Sequence, residues 1–404
     1  MENHRFHPSP EQYARQTENA LVRAVADGIF TPTEAEHLRE FVAEVSATRH
    51  ITPGRRYKLV YFTISCRRFM NRPYHELTVA DLYEGVRALT TARKEDGSLL
   101  FKANSQLDMV SHIKRYVLWL IENGYSTIPT EKVRKIRLPK ADKMTTTAAD
   151  LITEDEVRLM IDAARTTKDR AFIACLYESG CRIVEMAKLT WGDVKFEDWC
   201  AWINVDEKTG RPRGIPIIMA RQYLAAWKAE YPLPMSRDAL VFVGNINYKP
   251  LKYESVIKQL RIIAKRAGVE KHIRGHIFRH SRITHLLQQG AGETIVKRIA
   301  WGGDTRMLER YSHLTDSDTR QALAELAGVA PPEQKRRSKA LEPIQCPRCA
   351  EINTPGTNFC RKCGLALTEE ALEEKTSASS QIWSDPKFRA EHEEAVRRME
   401  AKSL

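Results

Sequence analysis

The chain has 404 residues, and its 64 Lys and Arg against 52 Asp and Glu leave a formal charge of +12. At roughly 150 residues per domain that length accommodates two or three domains, and a 42% hydrophobic share beside 29% charged residues supplies enough apolar surface to exclude a wholly disordered chain. The longest apolar runs fall well short of the roughly 18 residues of a membrane helix. The opening MENHRFHPSP has no apolar signal core. A soluble cytoplasmic protein with no membrane partner is expected, and the positive charge makes a polyanion the first partner to consider.

The first 125 residues predict helices alone. Residues 11–48 form two, marked by Leu21, Val22, Val25 and Ile29, then by Ala35, Leu38, Phe41 and Val42 at helical spacing. Pro32 and Thr33 separate them, with Thr33 and Glu36 as a capping box. Further helices are predicted over 52–70, 79–90 and 105–123, the last with Leu107, Val110, Ile113, Val117 and Leu120 on one face and Gly124 as its stop. Tyr116, Trp119 and Leu120 read as core rather than as a base-stacking platform. From 126 to 150 the periodicity lapses, and Lys132, Arg134, Lys135, Arg137, Lys140 and Lys143 face few acids, as in an extended basic linker.

A second domain opens at Thr153, which forms a capping box with Glu156. Helices follow to Ser179. Then Trp199, Ala201, Ile203 and Val205 alternate, as do Ile215 and Ile217, which predicts a β-hairpin with Lys208 at its tip. Helices return over 220–230, 251–267, 276–289, 293–299, 304–313 and 316–326. Residues 329–342 read as a Pro- and Lys/Arg-rich linker, and 368–404 as a charged tail, either a solvated helix near 386–402 or disordered.

Half of the eight cysteines fall within eighteen residues, as C-P-R-C and C-R-K-C-G: Cys346, Cys349, Cys360 and Cys363. Two such knuckles supply four thiolates to one tetrahedral Zn²⁺, a closed structural site with no open position for catalysis. Residues 343–367 are too few to build a core, so the ion is expected to hold this module together. Gly364 follows the last cysteine, where a tight turn favours a residue without Cβ. Cys181 reads as a small packed side chain.

Four pieces of the second domain carry the chemistry: Gly180-Cys181-Arg182-Ile183-Val184-Glu185; Lys208 in E-K-T-G-R-P-R-G-I-P-I; His276-Ile277-Phe278-Arg279-His280; and Trp301, followed by M-L-E-R-Y-S-H-L with Tyr311 inside it. Two guanidiniums can clamp the oxygens of a phosphodiester. A tyrosine hydroxyl can attack phosphorus if its proton is accepted and the developing charge is neutralised. Arg211 and Arg213 compete with Lys208 for the hairpin role; His280 and His313 read as structural.

In this order the pieces resemble the tyrosine recombinase (phage integrase) family, over roughly residues 150–326. The four-cysteine module resembles additions seen in archaeal-type integrases. The resemblance implies a mainly α protein: a SAM-like core-binding domain at 1–125, a linker at 126–150, and an α-rich catalytic domain with a small β-hairpin sheet at 151–328. The 329–342 linker then leads to a zinc ribbon at 343–367 and the tail. It implies a site-specific recombinase or integrase that cleaves and rejoins double-stranded DNA through a 3′-phosphotyrosyl intermediate, with no metal or ATP in the reaction. Arg182 and Arg279 would hold the scissile phosphate, His276 would help accept the tyrosine proton, and Lys208 would protonate the departing 5′-oxygen. Tyr311 would attack, and Glu185 would brace Arg182. The family's L-G-H triplet is absent: Gly302 stands nine residues before Tyr311 and Trp301 ten. Trp301 is therefore assigned the phosphate contact of that histidine. A homotetramer on DNA is implied, with room for accessory DNA-binding proteins. A non-cleaving DNA-binding accessory protein and a relaxing topoisomerase of type IB are the rival readings.

Overall fold

The computed structural model describes residues 6, 8–142, 148–205, 213–301 and 340–400. The hairpin tip with Lys208, the helices expected over 304–313 and 316–326, Tyr311 and His313, and most of the 329–342 linker lie outside the described residues. The chain divides into two units, His7–Thr145 and residues 1–6 with Thr146–Leu404.

The N-terminal unit is helical: α1 (Pro10–Ala26), α2 (Pro32–Thr48), α3 (Pro53–Arg67), α4 (Val79–Thr91), α5 (Ala103–Glu122) and the short α6 (Thr130–Arg134). Leu38, Val110, Val117 and Leu120 are fully buried in one core, with Tyr116 and Trp119 buried beside them, as their spacing predicted, and Leu82 of α4 joins them. The α2 cap falls two residues earlier than expected. Thr31, not Thr33, is the N-cap, and its box partner is Glu34. Pro32 explains this, because the first helical position has no use for an N–H and favours proline's fixed φ. The buried Glu34 also takes Arg67 Nε at 2.8 Å and the Tyr74 N–H at 2.9 Å, so the carboxylate that caps α2 ties it to α3. His112 on α5 is buried against Thr63 at 2.6 Å. The Thr63 hydroxyl donates to the Leu59 carbonyl, so Nε2 of His112 is the donor between them. Burial, then the Arg115, Arg55 and Lys58 cations, pushes this imidazole down to about 3, and it stays neutral.

The expected 126–150 linker is partly built into this unit. Ile128, Val133 and Ile136 are buried in its core, and Lys114 Nζ donates to the Arg134 and Ile136 carbonyls. These three apolar residues are too few to register as a period, yet they suffice to dock α6 against α5.

In the second unit, α7 (Glu154–Ala163), α8 (Thr167–Ser179) and α9 (Ile183–Lys188) precede a three-stranded antiparallel sheet of β1 (Val194–Phe196), β2 (Ala201–Val205) and β3 (Arg213–Ile217). The expected hairpin is the β2–β3 pair, with Val205 opposite Arg213 and Ala201 opposite Ile217. Strand β1 is an addition, and Trp199 lies outside the sheet, half exposed. The unit continues with α10 (Ala220–Ala229), α11 (Tyr253–Arg266), α12 (Ile277–Gln288) and α13 (Glu293–Trp301). Helix α8 is apolar nearly all round and buried from Ala171 to Tyr177, the mark of a central helix. It packs against α7, α10 and α12.

The cysteine module carries β4 (Ile344–Gln345) and β5 (Ile352–Asn353). It is fastened to two helices of this unit: Gln222 on α10 donates to the Ile352 carbonyl at 2.7 Å, and Arg158 on α7 donates to the Pro355 carbonyl. Two exposed helices close the chain, α14 (Glu369–Ser384) and α15 (Pro386–Glu400). Among the described residues no helix is long and apolar enough to cross a membrane.

Candidate active site and four-cysteine cluster

Helix α8 ends at Gly180, whose φ of 56° is the left-handed conformation that stops a helix and that side chains disfavour. The chain turns there and places Arg182 at the N-cap of α9. Glu185, one turn on, accepts the Arg182 N–H at 2.6 Å and Arg182 Nη1 at 2.8 Å. The brace expected from Glu185 is thus in contact, with the carboxylate nearly buried and the Arg182 side chain 33% exposed. That carboxylate also receives Arg213 Nη2 from β3 at 2.7 Å. Arg213 is 5% exposed and paired, a geometry unlike that of a solvent-facing hairpin cation.

Helix α12 brings the second pair. His276 is its N-cap and Arg279 lies in its first turn, slightly later than a helix beginning at 276. Arg279 is 3% exposed; it donates to the Gly180 carbonyl at 2.8 Å and to the Ala300 carbonyl. Burial, then the charges of Arg279 and Arg182, lowers the His276 pKa below its ordinary value, against a smaller upward pull from Glu185. The same interactions show that Arg182, Glu185, His276 and Arg279 share one neighbourhood. His280 stacks obliquely on His276, with ring centroids 6.1 Å apart. From behind, α12 is held by Tyr177 on α8. Its hydroxyl lies 2.8 Å from His285 Nδ1 and 3.2 Å from the Glu154 carboxylate.

Of the six catalytic candidates, the structure brings Arg182, His276 and Arg279 together. Trp301 ends α13 directly after Ala300, the residue whose carbonyl Arg279 and Arg213 both address; its side chain lies outside the described residues, as do Lys208 and Tyr311. Arg213 is a site residue that motif reading undervalued. Its signal was in the alternation Arg213, Ile215, Ile217, which puts a cation on the buried face of β3.

The four cysteines converge. Their Sγ atoms all lie within 4.8 Å of one another, with Cys346–Cys363 and Cys349–Cys360 both at 3.6 Å. Four sulfurs about 2.3 Å from a tetrahedral ion stand roughly 3.8 Å apart, so the cage fits Zn²⁺. Among the described residues they are the one grouping of three or more His, Cys, Asp or Glu side chains placed to share an ion. The two knuckles have matching backbones: Cys346 accepts from the Ala350 N–H at 2.9 Å, Cys360 from the Gly364 N–H at 2.8 Å, and both donors have positive φ, 57° and 68°. Gly364 adopts this freely. Ala350 does so at a cost of about 1–2 kcal/mol, which the closed knuckle offsets.

Residues 150–318 match the family model described as the phage integrase family. Tyrosine recombinase XerC of Xanthomonas campestris pv. campestris (strain B100) is 29% identical over 237 residues, 58% of this chain and 69% of the relative. Among solved structures, the XerH site-specific recombinase bound to palindromic difH substrate in a post-cleavage complex matches at a TM-score of 0.52 and 15% identity, over 79% of this chain and 97% of that one. A lambda integrase tetramer bound to a Holliday junction matches at 0.51 and 17%, over 67% and 77%. At such identities these two show the fold. The sequence matches place residues 150–318 in the phage integrase family, the tyrosine-type site-specific recombinases.

Proposed function

We propose that the chain cleaves and rejoins double-stranded DNA at a specific site through a 3′-phosphotyrosyl intermediate. The observation that carries this is the convergence of Arg182, Arg279 and His276: Glu185 holds Arg182, the Gly180 carbonyl two residues before it holds Arg279, and His276 feels the charge of both arginines. Arg182 and Arg279 neutralise the non-bridging oxygens as phosphorus becomes five-coordinate. The Tyr311 oxygen forms a bond to phosphorus while the bond to the 5′-oxygen breaks. The phenolic proton passes toward His276, and Lys208 gives a proton to the departing 5′-oxygen. Trp301 donates its indole N–H to the phosphate. Attack by a 5′-hydroxyl of a partner strand reverses the step, so the bond energy is retained and no ATP is consumed. Two duplexes and four cleavages call for four protomers on DNA, as in the lambda integrase tetramer. Phosphate contacts supply most of the affinity, which falls steeply with salt.

The test uses nicked suicide duplexes tiled across the DNA that flanks the coding region, followed by denaturing electrophoresis. A covalent protein–DNA band supports the proposal. DNA binding without a band on any duplex favours the non-cleaving accessory protein, and relaxation of an arbitrary supercoiled plasmid by the monomer favours the topoisomerase. The same reaction carries a pH signature. His276 must be neutral to take a proton, and burial with the Arg279 and Arg182 charges sets its pKa below the usual 6.5, so the acid-side decline in cleavage is expected to centre below pH 6.5. A decline centred above 6.5 would remove His276 from this role.

The four-cysteine cluster is given a structural Zn²⁺, which when bound would cross-link the two knuckles as a closed four-thiolate site. Cys346→Ser with Cys349→Ser is expected to lower zinc from about one equivalent to none and to expose 343–367 to proteolysis. Metal analysis of the wild-type protein that finds no zinc would refute the assignment.

A further inference from the structure

The arginine pair, its carboxylate and the end of α13 form a closed circuit. Glu185 accepts Arg182 on one oxygen at 2.8 Å and Arg213 on the other at 2.7 Å. The second arm of Arg213 donates to the Ala300 carbonyl, also at 2.7 Å. Arg279 donates to that same carbonyl and, with its other arm, to the carbonyl of Gly180. Gly180 stands two residues before Arg182, so the backbone completes the ring. Arg213 is the member supplied by the sheet, and it touches both Glu185 and Ala300.

Its placement is unusual. Strand β3 turns Arg213, Ile215 and Ile217 to the same buried face, so a guanidinium fills a core-facing slot where an apolar residue would cost less. The N–H and Nη1 of Arg182 engage both oxygens of this carboxylate from its own helix end; Arg213 adds a tie from the sheet, so the carboxylate is held to β3 as well as to α9. A carbonyl addressed from two sides is fixed in the same way. The Ala300 carbonyl is also the point from which the chain leaves toward Tyr311, eleven residues on.

We propose that Arg213 is a positioning residue for strand cleavage: by holding the Glu185 carboxylate and the Ala300 carbonyl it sets Arg182 and Arg279 to converge on one phosphate. This rests on the cleavage reading above. Arg213 acts through its neighbours, since two of its nitrogens are engaged by Glu185 and Ala300.

The experiment compares single-turnover cleavage of a nicked duplex with equilibrium binding to the intact one, alongside a thermal melt of each variant. Arg213→Ala is expected to slow covalent-adduct formation by about 100-fold while DNA affinity stays within about threefold, because misplacing a clamp by an ångström acts on the transition state more than on binding. Arg213→Lys keeps the charge but reaches one acceptor at a time, and is expected to recover about a tenth of the wild-type rate. Cleavage by Arg213→Ala at the wild-type rate overturns the proposal. So does a loss of cleavage that only mirrors a loss of binding or of folded protein in both variants. If the Ala variant fails to fold, Arg213→Lys decides: slow cleavage at full binding supports positioning, and wild-type cleavage refutes it. Absence of an adduct from the wild-type protein itself on every duplex would instead bring down the cleavage reading, and this proposal with it.

Discussion

Tyr311→Phe is expected to abolish the covalent protein–DNA band while DNA affinity stays within about twofold of wild type, since the lost hydroxyl is the proposed nucleophile and the ring is kept. Few single-atom changes separate chemistry from binding so cleanly. The proposed phosphate clamp of Arg182, His276 and Arg279 is left in place, so the variant should still sit on its site and compete with wild-type protein there. Gel shift on intact duplex and denaturing electrophoresis on the nicked one read the two properties separately. The assignment is falsified if the adduct persists.

The second large effect belongs to Arg279, and it differs in kind. This side chain is buried and serves two carbonyls, Gly180 and Ala300, as well as the proposed phosphate. Arg279→Ala is therefore expected to lose about 10²–10³ in cleavage rate, the usual cost of removing a transition-state donor. It should also lose stability, about 1–3 kcal/mol for the Gly180 carbonyl left without this donor, while the Ala300 carbonyl keeps Arg213. Tyr311→Phe should show no such loss. Single-turnover kinetics and a denaturant midpoint measured on both variants separate the roles. Arg279→Ala with wild-type melting and near-wild-type cleavage would mean that the clamp has been drawn from the wrong residues. Arg279→Lys should rescue little, because an ammonium cannot span two fixed carbonyls as a planar fork does.

What could be read before the fold was known follows from the range of the forces involved. Helix α5 declared itself because Val110, Ile113, Val117 and Leu120 repeat at helical spacing and all face the core. Thr153 and Glu156 announced α7 because a capping box is local, complete within four residues. The same locality misled at α2: Thr33 and Glu36 have the right spacing, but Thr31 and Glu34 have it too, and Glu34 is also needed by Arg67 and Tyr74, far along the chain. Strand β1, three residues long, is shorter than any alternation can reveal.

The candidate site divides along the same line. Arg182, His276 and Arg279 stood in an ordered motif, and the structure brings them together. The structural identity of Arg213 depends on Glu185 and on Ala300, 28 and 87 residues distant, and no spacing rule reaches that far. The docking of the cysteine module was equally hidden, because Gln222 and Arg158 meet backbone carbonyls, which any sequence would offer.

That docking has a consequence for the protein's life in the cell. A knuckle anchored to α7 and α10 shares its free energy with the helices it leans on, so whatever occupies the thiolate cage adds to the resistance of the recombinase core against unfolding by mass action. Supply of such an ion would then set how long each copy survives heat and proteases. Scarcity would shrink the pool of active enzyme without any change in its transcription, and a chelator added to the purified protein should lower the melting temperature of residues far outside the ribbon itself.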